Sequence, residues 1–254
     1  MTYTDELIVL TVDTKNIISE DLCRWSNSLT ALELNFEIIA KNDQWGGWKW
    51  RTEKIYNHLI SIKNSKKYKY AIICDCYDLI FQRKPTEEEI LSSKDCIIIG
   101  AEKQKTGIKE FNDKFTNDWE NINGGFCLGE IDNLITFYRS ITKNWEECQE
   151  RFNEQNNSLN DRKRDMKQKN IRIDDQVVIS NLFVKNELPF KLRLDTNSKY
   201  ILNFTRDVND KEYIVTNEYL YSLRGEEKHQ PICLHNPGDR NRPIQGLIEI
   251  FERI

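Results

Sequence analysis

The chain has 254 residues, 39% of them hydrophobic and 31% charged, with a formal net charge of −4 at pH 7. That length accommodates one large α/β domain with a substantial core, and the acidic balance lacks the basic footprint of a nucleic-acid partner. The apolar run Leu7–Val12 is too short for a signal peptide core or a membrane span, and no other run reaches transmembrane length, so a cytoplasmic protein is expected.

Leu7–Val12 predicts a first buried strand. Glu20–Leu32 predicts a helix, because Leu22, Trp25, Leu29 and Leu32 recur near a 3.6-residue period. Phe36–Ala40 follows as a second strand, then a loop over 41–47 and a helix through Ile62. Tyr70–Cys74 reads as a third buried strand, Pro85 as the opening of a short helix to Leu91, and Cys96–Gly100 as a fourth strand. This βαβα rhythm predicts a Rossmann-like, mixed but mostly parallel sheet.

Further along, Asn123-Gly124-Gly125-Phe126 reads as a turn entering a short strand, and Asp132–Trp145 as a helix. The stretch 146–170 is charged and amide-rich, with almost no apolar residues, and reads as a solvated helix, a mobile loop or both, partly mobile. Asp174–Val184 reads as a helix with an acidic start, Ile232–His235 as a strand and Ile244–Phe251 as a closing helix. With no repeat and no linker, a single domain over 1–254 is expected, 1–122 binding a nucleotide and 123–254 facing the acceptor. The seven cysteines form no CxxC pair, and Cys74, Cys96 and Cys233 sit in apolar runs. Buried free thiols in a reducing compartment are the simplest account, a viral host's cytoplasm included, and the Asn203-Phe204-Thr205 sequon then carries no meaning.

The strand Tyr70–Cys74 ends in Asp75 and Asp78. A carboxylate is costly inside a sheet, but at a strand's carboxyl end it faces the crevice where open α/β sheets bind ligands. Two such groups suit a hard divalent cation bridging phosphate oxygens. The bland alternative is a turn in which one Asp caps the next helix. His235 likewise ends an apolar strand, and it is either a hydrogen-bonded turn residue or the third member of an Asp/Asp/His set suited to Mn²⁺. Gly124-Gly125 is either a plain turn or a place where backbone approaches a ligand closely. Asp174-Asp175 opens a helix. One aspartate suffices as a cap, and the second can face a sugar ring. Gly46-Gly47 before Lys49 offers a helix N-terminus and an ammonium for a diphosphate. Trp45, Trp48 and Trp50 serve either stacking or the core, at least one of them the core. No GxxxxGK[ST] or GxGxxG pattern is present, so P-loop and dinucleotide readings fall away.

In this order the motifs resemble the glycosyltransferase domain of the procollagen lysyl hydroxylases and its stand-alone relatives. They are Val9-Leu10-Thr11-Val12, Gly46-Gly47 with Lys49, Asp75-Cys76-Tyr77-Asp78-Leu79-Ile80, Ala101-Glu102, Gly124-Gly125-Phe126, Asp174-Asp175-Gln176, and His235 with Gly238. The resemblance implies a GT-A fold and transfer of glucose or galactose from a UDP-sugar to a hydroxyl acceptor, such as hydroxylysine or galactosyl-hydroxylysine of a collagen-like protein. It implies Mn²⁺ held by Asp75, Asp78 and His235, and uridine contacts from Val9, Thr11 and Tyr77. Diphosphate contacts would come from Lys49 and Gly238, with Trp45, Glu102, Gly124 and Gly125 also lining the donor site. Asp174 and Asp175 would serve the transferred sugar. Two departures stand out: Pro237 replaces an asparagine of the family's histidine turn, and the aspartate run is cut to two. A metal-dependent nucleotidyltransferase and a non-catalytic nucleotide-sugar-binding protein are the competing readings.

Overall fold

The structure, a computed structural model, describes residues 3–15, 19–103, 121–160, 173–204, 210–216, 219–225 and 227–236. Its elements in chain order are β1 (Leu7–Val12), α1 (Glu20–Ala31), β2 (Phe36–Ile39), α2 (Trp48–Ser65), β3 (Tyr70–Cys74), β4 (Leu79–Phe81), α3 (Glu87–Leu91), β5 (Cys96–Glu102), β6 (Asn121–Glu130), α4 (Ile131–Lys143), α5 (Trp145–Asn160), α6 (Asp175–Lys185), β7 (Lys191–Asp195), β8 (Ile201–Asn203), β9 (Tyr213–Val215), β10 (Leu220–Ser222) and β11 (Cys233–His235).

Six strands form the central sheet in the order β2-β1-β3-β6-β5-β7. All run one way except β6, which is antiparallel to both β3 and β5. The fold is therefore mixed α/β with a mostly parallel sheet. Strand alternation explains its double burial. On one face Ile8, Leu10, Ala71, Ile73, Ile97 and Ile99 pack under α2, α4, α5 and α6. On the other, Leu7, Val9, Ile72 and Ile98 meet Trp25 and Leu29 of α1. A second sheet, β4-β11-β8, lies on that side, with β11 antiparallel to β4 and parallel to β8.

Local chemistry sets the helix starts. Ser19 caps α1 by accepting from the Leu22 N–H at 3.2 Å. Gly47 caps α2 at φ 95°, a left-handed conformation that glycine adopts without steric cost. Pro85 precedes the cap of α3 instead of opening the helix: Thr86 is the cap and forms a capping box with Glu89. The Gly124-Gly125 pair is not a turn. It lies inside the ten-residue β6, where the register with β5 jumps from Ile99–Cys127 to Gly100–Asn123. The glycines mark a bulge, which interrupts apolar alternation just as a turn does.

The charged stretch after residue 145 is a helix over its described part, as one of its two readings has it, but it is seated on the core and not wholly solvated. Residues 145–160 are helical, and Trp145, Cys148 and Phe152 pack into the core at helical spacing. Three anchors within 145–152 are enough to seat that part of the helix but are hidden by their charged neighbours. Residues 161–172, Pro237, Gly238 and the expected closing helix lie outside the described residues. Among the described residues no helix is long and apolar enough to cross a membrane. All seven cysteines are free thiols, and burial pushes the Cys76 thiol up to about 12.

Asp195 ends β7 and organises the loop into β8. Its carboxylate accepts from the backbone N–H groups of Lys199, Tyr200 and Ile201 at 2.8–2.9 Å. Asp195→Ala strands three donors, two of them in buried bonds. An unsatisfied buried donor costs about 1–3 kcal/mol, so the two buried donors predict a loss of about 2–6 kcal/mol. A urea titration should show the midpoint falling at constant slope.

Candidate active site

Three segments converge at the carboxyl ends of the strands. Asp75 follows β3 directly and its N–H bonds the Gly125 carbonyl at 3.1 Å. Asp78 precedes β4, which pairs Leu79 with His235 of β11. The Asn236 N–H bonds the Asp78 carbonyl at 2.8 Å, closing the corner. His235 Nε2 consequently lies 3.4 Å from Asp78 Oδ1 and 3.7 Å from Asp75 Oδ2. One ligand atom from each of the three falls within 4.8 Å of the others.

The neighbouring strand sets the imidazole. β8 places Asn203 beside His235, with Oδ1 2.7 Å from Nδ1. Asn203 Nδ2 donates to the Ala101 carbonyl at 2.8 Å, so its oxygen must be the atom facing the ring. Nδ1 therefore carries the hydrogen, and in the neutral ring Nε2 presents its lone pair to the two carboxylates. Nε2 is buried and has no well-formed hydrogen bond among the described residues. Burial opposes the charged imidazole, but Asp78, Asp75 and Glu102 together outweigh it and raise the His235 pKa. An orphaned ring nitrogen facing two carboxylates fits a divalent cation, and a mixed oxygen and imidazole set suits Mn²⁺.

Gly125 makes the approach possible. A Cβ there would stand 2.4 Å from His235 Cε1 and 3.0 Å from Asp75 Oδ2. A Cβ at Gly124 would meet Asp175 Oδ1 at 3.4 Å, an ordinary contact.

These groups line a pocket of about 360 Å³ together with Trp48, Arg51, Glu102, Asn123, Gly124, Asp174, Asp175 and Gln176. Asp174 is the cap of α6 and accepts from the Val177 N–H at 3.0 Å. Asp175 is buried in the first turn, where burial pushes its carboxyl up to about 6 against the pull of Arg51. Glu102 Oε2 accepts from Asn123 Nδ2 at 3.0 Å and Oε1 from Gln176 Nε2 at 2.8 Å. Gln176 Oε1 in turn accepts from the Gly124 N–H at 3.2 Å. Burial raises the Glu102 pKa despite the two amide donors.

Of the residues singled out from the sequence, Asp75, Asp78, His235, Glu102, Gly124, Gly125, Asp174 and Asp175 meet in this pocket. Thr11 and Tyr77 lie near the end of β1. There the Tyr77 hydroxyl donates to Asp13, and Lys15 Nζ sits 4.0 Å above the Tyr77 ring. Val9 is fully buried in the apolar cluster with Trp25 and Ile72. Lys49 does not line the pocket; it pairs with Glu146 of α5 at 2.6 Å. Trp45 is exposed and makes edge contacts with Trp48 and Trp50, of which Trp50 packs on the core.

Four contributors were given no role at the site from the sequence: Arg51, Asn123, Gln176 and Asn203, although Asn123 and Gln176 lie inside the motifs quoted from it. Arg51 looked like one more basic residue on a helix. The 48–65 periodicity, with Ile55, Leu59 and Ile62 buried, does put it on the inward face, and that signal was available.

No protein-family model matches the chain, and no curated protein matches it. Among solved structures it is similar to the crystal structure of a glycosyltransferase involved in the glycosylation of the major capsid of PBCV-1, at a TM-score of 0.48 and 9% identity over 98% of this chain and 99% of that one. A likeness at that level carries no argument about reaction or ligand, so the chemistry is read from the pocket itself.

Proposed function

We propose that the chain is a divalent-metal-dependent glycosyltransferase of the GT-A kind, taking glucose or galactose from a UDP-sugar to a hydroxyl-bearing acceptor. The observation that supports it most is the convergence of Asp75, Asp78 and the lone-pair nitrogen of His235 at the strand ends, opposite the acidic first turn of α6. Asp75, Asp78 and His235 would hold the metal, which when bound supplies charge neutralisation to a departing diphosphate. Asp174 and Asp175 would lie toward the transferred sugar, where their negative field favours a developing oxocarbenium ion. The Glu102–Gln176–Asn123 network would fix that wall. The uridine would lie past the end of β1, near Thr11 and Tyr77. Buried Asp13 there has one carboxylate oxygen with no partner among the described residues, an acceptor suited to the imide N–H of a uracil. Hydroxylysine or its galactosylated form is the acceptor that the order of motifs favours.

The test is UDP release from a panel of UDP-sugars, with EDTA and with added Mn²⁺. Turnover that disappears on chelation and returns with Mn²⁺ is expected. Full activity in excess EDTA would refute the metal assignment. Release of sugar 1-phosphate in place of UDP, by attack on the uridine-bearing phosphorus, would make the chain a nucleotidyltransferase, and binding without turnover would make it a non-catalytic sensor.

A further inference from the structure

We propose that Arg51 is the positioning residue that joins the metal side of the pocket to its sugar side, an inference that rests on the glycosyltransferase reading above. Arg51 stands in the first turn of α2 and is 5% exposed. Its Nη2 lies 2.8 Å from Asp75 Oδ1 and its Nη1 2.6 Å from Asp175 Oδ2. The Trp48 ring covers the guanidinium at 5.7 Å. A buried cation is costly, and the rest of the inward face of α2 is Thr52, Ile55, Leu59 and Ile62, which seat the helix without it. The fork is occupied at both ends by carboxylates of two different segments that line one pocket.

Two consequences follow from which oxygens it takes. Asp75 spends Oδ1 on Arg51 and turns Oδ2 toward His235, so Asp75 is restricted to one ligand atom. Asp175 gives Oδ2 to Arg51 and accepts the Gln176 N–H on Oδ1 at 3.1 Å, so both of its oxygens are held in place. Asp175 is thus an anchor. It draws the first turn of α6 into the pocket, where Gln176 holds Gly124 and Glu102 and where Asp174 faces the opening. A planar fork fixes both distances and angles at once. An ammonium is a point charge and does not.

The experiment compares wild type with Arg51→Lys, Arg51→Met and the double variant Arg51→Met/Asp175→Asn. The double variant removes the buried cation together with a buried anion, so it retains the fold where Arg51→Met alone fails to. Mn²⁺ affinity is read without nucleotide, from the free-ion EPR signal, alongside thermal melts and steady-state kcat and KM. Misplacing a ligand's support costs about 10–100-fold in metal affinity. Arg51→Lys and the folded double variant are each expected to lose that much, and in Arg51→Lys, which keeps Asp175, kcat should fall more than KM changes. A purely structural role predicts instead that the double variant recovers wild-type Mn²⁺ affinity along with its melting temperature, which would overturn the proposal. Wild-type affinity in Arg51→Lys would overturn it equally. Both outcomes leave the metal-dependent reading intact. Absence of Mn²⁺ binding by the wild type would instead remove that reading, and this inference with it.

Discussion

Asp78→Asn is expected to weaken Mn²⁺ binding by more than about 100-fold and to abolish turnover of the UDP-sugar, while the metal-free protein keeps its fold. Loss of a supporting residue behind a ligand already costs 10–100-fold, and loss of one ligand of three exceeds that. Asp78 is the member of the set chosen for removal. Asp75 also holds Arg51, and His235 also holds Asn203, so their replacement disturbs two contacts at once. The Asp78 side chain is 23% exposed at the rim of the pocket, and its amide analogue keeps the shape while removing the charge. Calorimetric titration with Mn²⁺ and a thermal melt of the metal-free variant are the measurements. Unchanged Mn²⁺ affinity in a folded variant would show that the cation, if any, sits elsewhere.

Gly125→Ala is the second large effect. The added methyl would lie 2.4 Å from an imidazole carbon, a separation that Cβ atoms do not adopt. His235 cannot swing away freely, because it is buried and tied through Asn203 to Ala101. Relief must come from a shift of the ring away from Asp75 or of the β6 bulge. Overpacking of this kind costs about 1–3 kcal/mol, and the shift separates the three ligand atoms. Metal binding and turnover should both be lost, with a melting temperature lowered by several degrees. Gly124→Ala, where the new methyl meets only ordinary contacts, should retain most Mn²⁺ affinity. Equal behaviour of the two variants would refute the close-packing role of Gly125. The comparison separates two roles that adjacent glycines share on paper.

Much of the scaffold is legible in the chain alone. β1, β3 and the helix at 20–31 are found within a residue of their observed bounds, because apolar period and capping chemistry act over a single element. The same locality exposes Asp75 and Asp78, since two carboxylates closing an apolar strand are anomalous wherever the strand lies. It also explains the failures. Gly124-Gly125 was read as a turn because a bulge and a turn interrupt alternation identically, and only pairing with β3 and β5 tells them apart. The stretch after Trp145 was read as solvated because three buried anchors are outvoted by their charged neighbours.

The order of the strands and the convergence of the site were decided by tertiary structure. Arg51 and Asp175 are 124 positions apart, and His235 and Asn203 are 32 apart. Asn203 is a mere sequon in the sequence and becomes the group that fixes a histidine's tautomer once β8 lies beside β11. Lys49 has the right neighbours for a phosphate contact, yet the packing of α5 gives it Glu146 instead. The sequence alone thus determined which residues are chemically unusual for their element, because that depends on near neighbours. Which of them act together was left to the fold, because a hydrogen bond depends on distance in space and a chain position states none.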